Sequence, residues 1–106
     1  MSIRVGKSGI HGRGCFAGRV FKRGELVGPM TGHTARNLEH PHVLFVPTVD
    51  GGERAVRITS ELRFANHSTK PNCELSAFTD GRIELHAKRR IEEGEEITFH
   101  YGEDWQ

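Results

Sequence analysis

The stretch RFANHSTKPNCEL, Arg63 to Leu75, joins an apolar turn to an alternating strand through Asn-His-Ser and Pro-Asn. Short polar side chains compete with their own backbone for hydrogen bonds, so such a run reads either as a polar turn or as a site built on one. Asn66 carries a donor and an acceptor on one amide, which suits an ammonium, a carboxylate or a purine edge. His67 can act through its ring or through its main-chain groups. Pro71 fixes the chain direction, and Asn72 is expected in a left-handed turn conformation.

Around this stretch the chain has the make-up of one loop-rich domain, residues 1–106. Its 106 residues include 13 glycines, 35% are hydrophobic and 27% are charged, which suits a folded rather than a disordered chain. Fifteen Lys and Arg against fourteen Asp and Glu leave a net charge of +1, so bulk electrostatics gives no case for direct nucleic-acid or membrane binding. Two cysteines cannot build a disulfide framework or a four-thiolate zinc site. No apolar run has the length of a membrane span, and the first ten residues have no signal-peptide core, so an intracellular protein is expected.

Short alternating segments predict a mostly β chain. CELSAFTDGRIELHAK reads as a hairpin with Cys73, Leu75 and Ala77 on one face, a turn at Asp80-Gly81, and Ile83, Leu85 and Ala87 returning. HVLFVPTVDGGERAVRI reads as a second hairpin, Val43–Val49 and Ala55–Ile58 turning at Asp50-Gly51-Gly52. GELVGPM and EEITFHY are further strands. Only SELRFA suggests a helical turn, with Ser60 as its cap. Ala17–Val27 (AGRVFKRGELV) aligns without gaps on Ala87–Ile97 (AKRRIEEGEEI) with four identities in eleven positions, either a shared strand-turn-strand recipe or a duplication.

Three more groupings bear on chemistry. GKSGIHGRGCFAG has the glycine density of a dinucleotide fingerprint but lacks its buried strand and following helix; what survives is a glycine loop whose backbone can approach a ligand, or a plain flexible turn. His40-Pro-His42 with His33 has the spacing for a zinc or copper site, but no cysteine or carboxylate pattern completes it, and no metal is expected. Tyr101, at a strand end before a glycine, is either a packed ring or a positioned hydroxyl.

In the order GIHGRGCFA, FKRGELV, RFANHSTKPN and HAKRRIEEGEEITFHYG, these segments resemble the SET-domain protein lysine methyltransferases from about Lys7 to Gly102. The resemblance implies a β-clip fold of small curved sheets with a C-terminal pseudoknot that brings residues 63–72 and 97–101 together. It implies S-adenosylmethionine as cofactor, held by Arg13, Gly14 and Phe16 in the first loop, by Asn66 at the methionine end and by His67 near the adenine. It implies Tyr101 as the catalytic residue, with Phe99 at a channel position that governs how many methyl groups are added. The implied partner is a basic protein or peptide, histone-like in many relatives, in cytoplasm or nucleus according to the host.

The chain departs from the family at several points. Met30 stands where the family often has a tyrosine, Thr69 replaces a frequent cysteine, and the segment from Thr31 to Val43 is short. The sequence stops at Gln106, before the Cys-rich tail that often completes the lysine channel. Trp105, with Glu103 and Asp104, reads either as a channel wall that attracts a basic peptide or as a frayed acidic terminus; alternatively a second subunit of a homodimer supplies that wall. The alternative function is a SET-like module that binds protein or cofactor without catalysis.

Overall fold

The computed structural model describes residues 2–36 and 42–100. Among the described residues, ten strands form three small sheets around one apolar core. In chain order they are β1 (Ile3–Lys7), β2 (Arg13–Ala17), β3 (Leu26–Pro29), β4 (Gly32–Thr34), β5 (Val43–Pro47), β6 (Glu53–Ile58), β7 (Asn66–His67), β8 (Cys73–Ala77), β9 (Ile83–Ala87) and β10 (Glu96–Phe99). The sheets run β1-β2-β10-β7, β3-β9-β8 and β4-β6-β5.

Both hairpins read from alternation are present. Cys73 faces Ala87, Leu75 faces Leu85 and Ala77 faces Ile83; Cys73, Ile83, Leu85 and Ala87 are buried. The second hairpin is displaced from its expected limits: β5 ends at Pro47 and β6 begins at Glu53. The cause lies in its turn, where Thr48 N–H bonds to Gly52 C=O and Gly51 N–H to Thr48 C=O, removing residues 48–52 from the ladder. Phe78–Arg82 repeats that pattern in the other hairpin, a tight turn followed by a left-handed glycine.

The expected helical turn is present as a 3₁₀ helix, Glu61–Phe64, but Ser60 does not cap it with its side chain. Its hydroxyl instead accepts from Thr31 N–H at 3.1 Å and fastens the start of the helix to the end of β3. Asn72 does not take the expected left-handed conformation: among the described non-glycine residues only His42 has a positive φ. Asn72 is buried, and its amide reaches β10.

The repeated segment is a symmetric clasp. Gly24 N–H bonds to Ala87 C=O at 2.8 Å, and Gly94 N–H bonds to Ala17 C=O at 2.7 Å. Ala17 N–H returns to Glu95 C=O and Ala87 N–H to Glu25 C=O, both at 2.9 Å, while Phe21 and Ile91 form a bridge at the centre. Each copy therefore closes the other. Gly24 and Gly94 are needed because both sit in the left-handed region, at φ 85° and 87°. Each copy also ties its own turn with an ion pair, Arg19–Glu25 and Arg89–Glu95.

Those ion pairs predict acid sensitivity. The Arg19 and Arg89 guanidiniums, with turn N–H groups, hold Glu25 and Glu95 below the ordinary carboxylate value of 4.5. A carboxylate lowered on folding contributes stability in full above its unfolded value and loses it as pH falls through the lowered one. Urea midpoints should therefore drop between pH 6 and pH 3, and the drop should shrink in Glu25→Gln/Glu95→Gln. An equal drop in both proteins would remove the clasp carboxylates from the account.

β10, last in sequence, is central in space. It pairs antiparallel with β2 (Glu96↔Phe16, Ile97↔Cys15) and parallel with β7 (Thr98↔Asn66, Phe99↔His67). Asn72 grips it from the far end of the same loop. This crossing of residues 66–72 with residues 96–100 is the juxtaposition on which the expected pseudoknot depends.

Candidate functional site

The four-stranded sheet divides the molecule. Alternation turns Cys15, Ala17, Ile97 and Phe99 into the core, all with no exposed surface. The positions between them, Gly14, Phe16 and Glu96, lie on the opposite face, where Asn66 joins them. The β1–β2 loop closes over this face through Ser8 N–H to Gly12 C=O at 2.8 Å.

The amide of Asn66 is the centre of the cluster. Its Nδ2 donates toward His11 C=O at 3.1 Å, Arg13 C=O at 3.0 Å, Glu96 Oε2 at 2.9 Å and Ser8 Oγ at 3.0 Å. The two carbonyls and the carboxylate can only accept, so the amide nitrogen must face them and Oδ1 must face away. Oδ1 is then the acceptor the amide has left to offer, and an acceptor of this kind suits the ammonium of an amino-acid ligand. Gly14 makes room for the cluster: a methyl group there would strike the Glu96 carboxylate and approach Ser8 Cβ to 3.1 Å. The residues present thus fit the amino-acid end of the cofactor that the sequence implies.

Phe16 lies on the same face, its ring 3.6 Å from where a Cβ on Gly6 would stand. The Arg13 guanidinium rests over the Phe64 ring, 5.8 Å from its centroid, so the contribution of Arg13 to the Asn66 cluster is its carbonyl. His67 meets His100 edge to face at 4.8 Å between ring centroids. Phe99 and Met30 are buried in the core; Met30 also borders a cavity of about 300 Å³ lined by Arg54, Val56, Arg82, Ile83 and Glu84. Asn66 and Glu96 are not among its lining residues. Tyr101 and Trp105 lie outside the described residues, as does His40. Among the described residues no group of three or more His, Cys, Asp or Glu side chains could hold a metal ion, and no helix is long and apolar enough to cross a membrane.

Both cysteines are inert packing. Burial pushes the Cys15 and Cys73 thiols up to about 12, and Cys15 donates to Glu61 C=O at 3.1 Å. Two site residues were not singled out from sequence, Ser8 and Glu96. Ser8 stands in the glycine loop and Glu96 in the repeated segment, where Gly-Glu-Glu reads as turn chemistry. The available signal was the repeat itself: the partner position of Glu96 is Leu26, so the strand-turn-strand recipe does not call for an acid there.

Comparison with known proteins agrees with this arrangement. The family model described as SET domain matches residues 12–102. The chain is 35% identical over 113 residues to the histone-lysine N-methyltransferase MEDEA of Arabidopsis thaliana, covering 93% of this chain and 16% of that protein. A shorter match, 50% over 48 residues, links it to the histone-lysine N-methyltransferase ash1 of Drosophila melanogaster, covering 42% of this chain and 2% of that protein. The chain therefore spans only a small part of the curated relatives it matches. Among solved structures, ctPRC2 in an autoinhibited conformation bound to S-adenosylmethionine superimposes with a TM-score of 0.81 at 24% identity, covering 98% of this chain and 15% of that one. CpSET8 from Cryptosporidium gives 0.78 at 22% identity, over 96% of this chain and 58% of that one. These two likenesses concern the fold; the family model and the MEDEA identity carry the assignment. With its strand order, its Asn66 cradle and these matches taken together, this chain belongs to the SET-domain family.

Proposed function

We propose that this chain transfers methyl groups from S-adenosylmethionine to the side chain of a protein lysine. The observation that carries the reading is the orientation of Asn66, whose Nδ2 is taken up by main-chain and carboxylate acceptors so that Oδ1 is the acceptor the amide has left to offer. Asn66 with the His11 and Arg13 carbonyls would hold the amino-acid end of the cofactor, the Arg13-Gly14 main chain would lie beside it, and Phe16 and His67 would border the rest. The group supplies an electrophilic methyl on a positively charged sulfur. The protein then has to align a neutral amine with it and keep water away.

Apolar surroundings lower a lysine pKa by disfavouring its charged form. Met30 and Phe99 are assigned to that apolar wall and Trp105 to its outer rim. Tyr101 is assigned to orient the amine through its hydroxyl. The substrate class is a basic protein, in keeping with the names of the relatives.

Incubation of the full chain with labelled S-adenosylmethionine and a mixture of basic proteins should label lysine. Tyr101→Phe should lower the rate by about 100-fold or more, the scale of a positioned general acid–base or orienting group. Cofactor binding without transfer would favour the alternative, a SET-like binding module. Transfer undiminished in Tyr101→Phe would remove Tyr101 from its role.

A further inference from the structure

Glu96 is held in a way that packing does not require. The single Ser8 hydroxyl hydrogen is shared between its two oxygens, which lie 2.7 and 2.9 Å from Oγ, and Asn66 Nδ2 donates to Oε2 at 2.9 Å. Ser8 is itself fixed, accepting from Ile10 N–H at 2.8 Å and His11 N–H at 3.2 Å. The glycine at position 14 leaves the space in which the carboxylate sits, since a methyl group there would also come within 3.0 Å of Glu96 Cδ. The symmetry-related copy of the clasp repeats the neighbouring glutamate, Glu25 for Glu95, but has Leu26 in place of Glu96. Four residues from two separate segments, Ser8, His11 and Arg13 from the first loop and Glu96 from β10, thus converge on one side-chain amide, and only the copy beside Asn66 carries the acid.

We propose that Glu96 is the positioning residue for Asn66. Its carboxylate draws the amide nitrogen inward, so that Oδ1 is presented to the ammonium of the methyl donor. This rests on the cofactor reading above. The role is geometric: an uncharged acceptor at the same place should largely replace it, and displacing the carboxylate by any means should have the same effect as deleting it.

Isothermal titration of the full chain with S-adenosylmethionine, and with 5′-methylthioadenosine, which lacks the amino-acid end, tests this. Glu96→Ala should weaken S-adenosylmethionine about ten-fold or more, as expected for loss of a charge-assisted hydrogen bond in the site. It should leave methylthioadenosine within about two-fold, a selectivity that general destabilisation would not produce. Glu96→Gln should recover most of the loss. Gly14→Ala alone should mimic Glu96→Ala, and the double variant should be no weaker than Glu96→Ala, because the added methyl enters the space the carboxylate has left.

Unchanged affinity in Glu96→Ala, equal weakening of both ligands, additive losses in the double variant, or a glutamine variant as weak as alanine would each overturn the proposal. If Glu96→Ala does not fold, Gly14→Ala and Glu96→Gln carry the same comparison between the two ligands. A wild-type chain that binds neither ligand overturns the cofactor reading and this proposal together. A wild-type chain that binds both, with variants that do not discriminate between them, overturns this proposal alone.

Discussion

Asn72→Ala should lower stability by about 3–4 kcal/mol, equivalent to a fall in Tm of roughly 15–25 °C for a domain of this size. The buried amide occupies the place of a missing strand beside β10. Thr98 N–H donates to Asn72 Oδ1 at 2.9 Å, Asn72 Nδ2 donates to Glu96 C=O at 2.7 Å, and Asn72 N–H donates to Thr98 Oγ1 at 3.2 Å. Truncation leaves one main-chain donor and one main-chain acceptor of β10 without partners, each costing about 1–3 kcal/mol where water cannot replace them. Thr98→Val, which spares both of those bonds and removes only the hydroxyl, should cost about 1 kcal/mol. Urea denaturation of the two variants tests the ranking, and an Asn72→Ala variant no less stable than Thr98→Val would refute it. With total stability of a small domain near 5–15 kcal/mol, the larger loss would be a substantial fraction of the whole.

Gly32→Ala is the second large effect. A methyl group at Gly32 would run into the carbonyl oxygen of Arg57 and come within 2.7 Å of its carbonyl carbon and 2.9 Å of Ile58 Cα. All three atoms are main chain of β6, so no side-chain rotation relieves the clash. β4, only three residues long, would have to part from β6, giving up the Gly32↔Ile58 and Thr34↔Val56 pairs. A cost of about 3 kcal/mol or local release of β4 is expected. Gly9→Ala is the control: nothing lies within 4 Å of its methyl position, and a change within about 0.5 kcal/mol is expected. Hydrogen exchange across β4 and β6, read beside urea midpoints, separates the outcomes. Equal behaviour of the two variants would show that the close approach at Gly32 is not maintained in solution.

The hairpins were legible because side-chain alternation and turn chemistry are local. Cys73–Ala77 and Ile83–Ala87 fell where their apolar periodicity put them, with Asp80 accepting the Arg82 N–H in the turn. In the hairpin at Val43–Ile58 both inner ends lie two residues earlier than alternation suggests, because the turn is closed at Thr48 and Gly52 by the Thr48 N–H to Gly52 C=O bond, which alternation does not reveal. β7 and β4 were not legible at all. Strands of two and three residues have no periodicity of their own and exist only through their partners, β10 and β6.

The site divides in the same way. Asn66, Gly14 and the glycine loop could be named from residue type, since amides and glycines announce what a backbone or ligand can approach. Glu96 and Ser8 could not, because a carboxylate beside a turn glutamate and a serine beside a glycine have ordinary explanations. Asn72 was misread for the same reason: asparagine before a strand is usually a turn residue, and only burial against β10 gives its amide another task.

By itself, then, the sequence determined the β character, the two long hairpins, the repeated strand-turn-strand segment and the family resemblance, all of which arise from spacing within a few residues. The tertiary structure alone decided that the two repeats clasp each other, that Asn72 serves as a rung for β10, and that Glu96 and Ser8 reach Asn66. Each of these joins residues that lie from 26 to 88 positions apart. Periodicity cannot encode such contacts, because they depend on where the last strand inserts between the earlier ones.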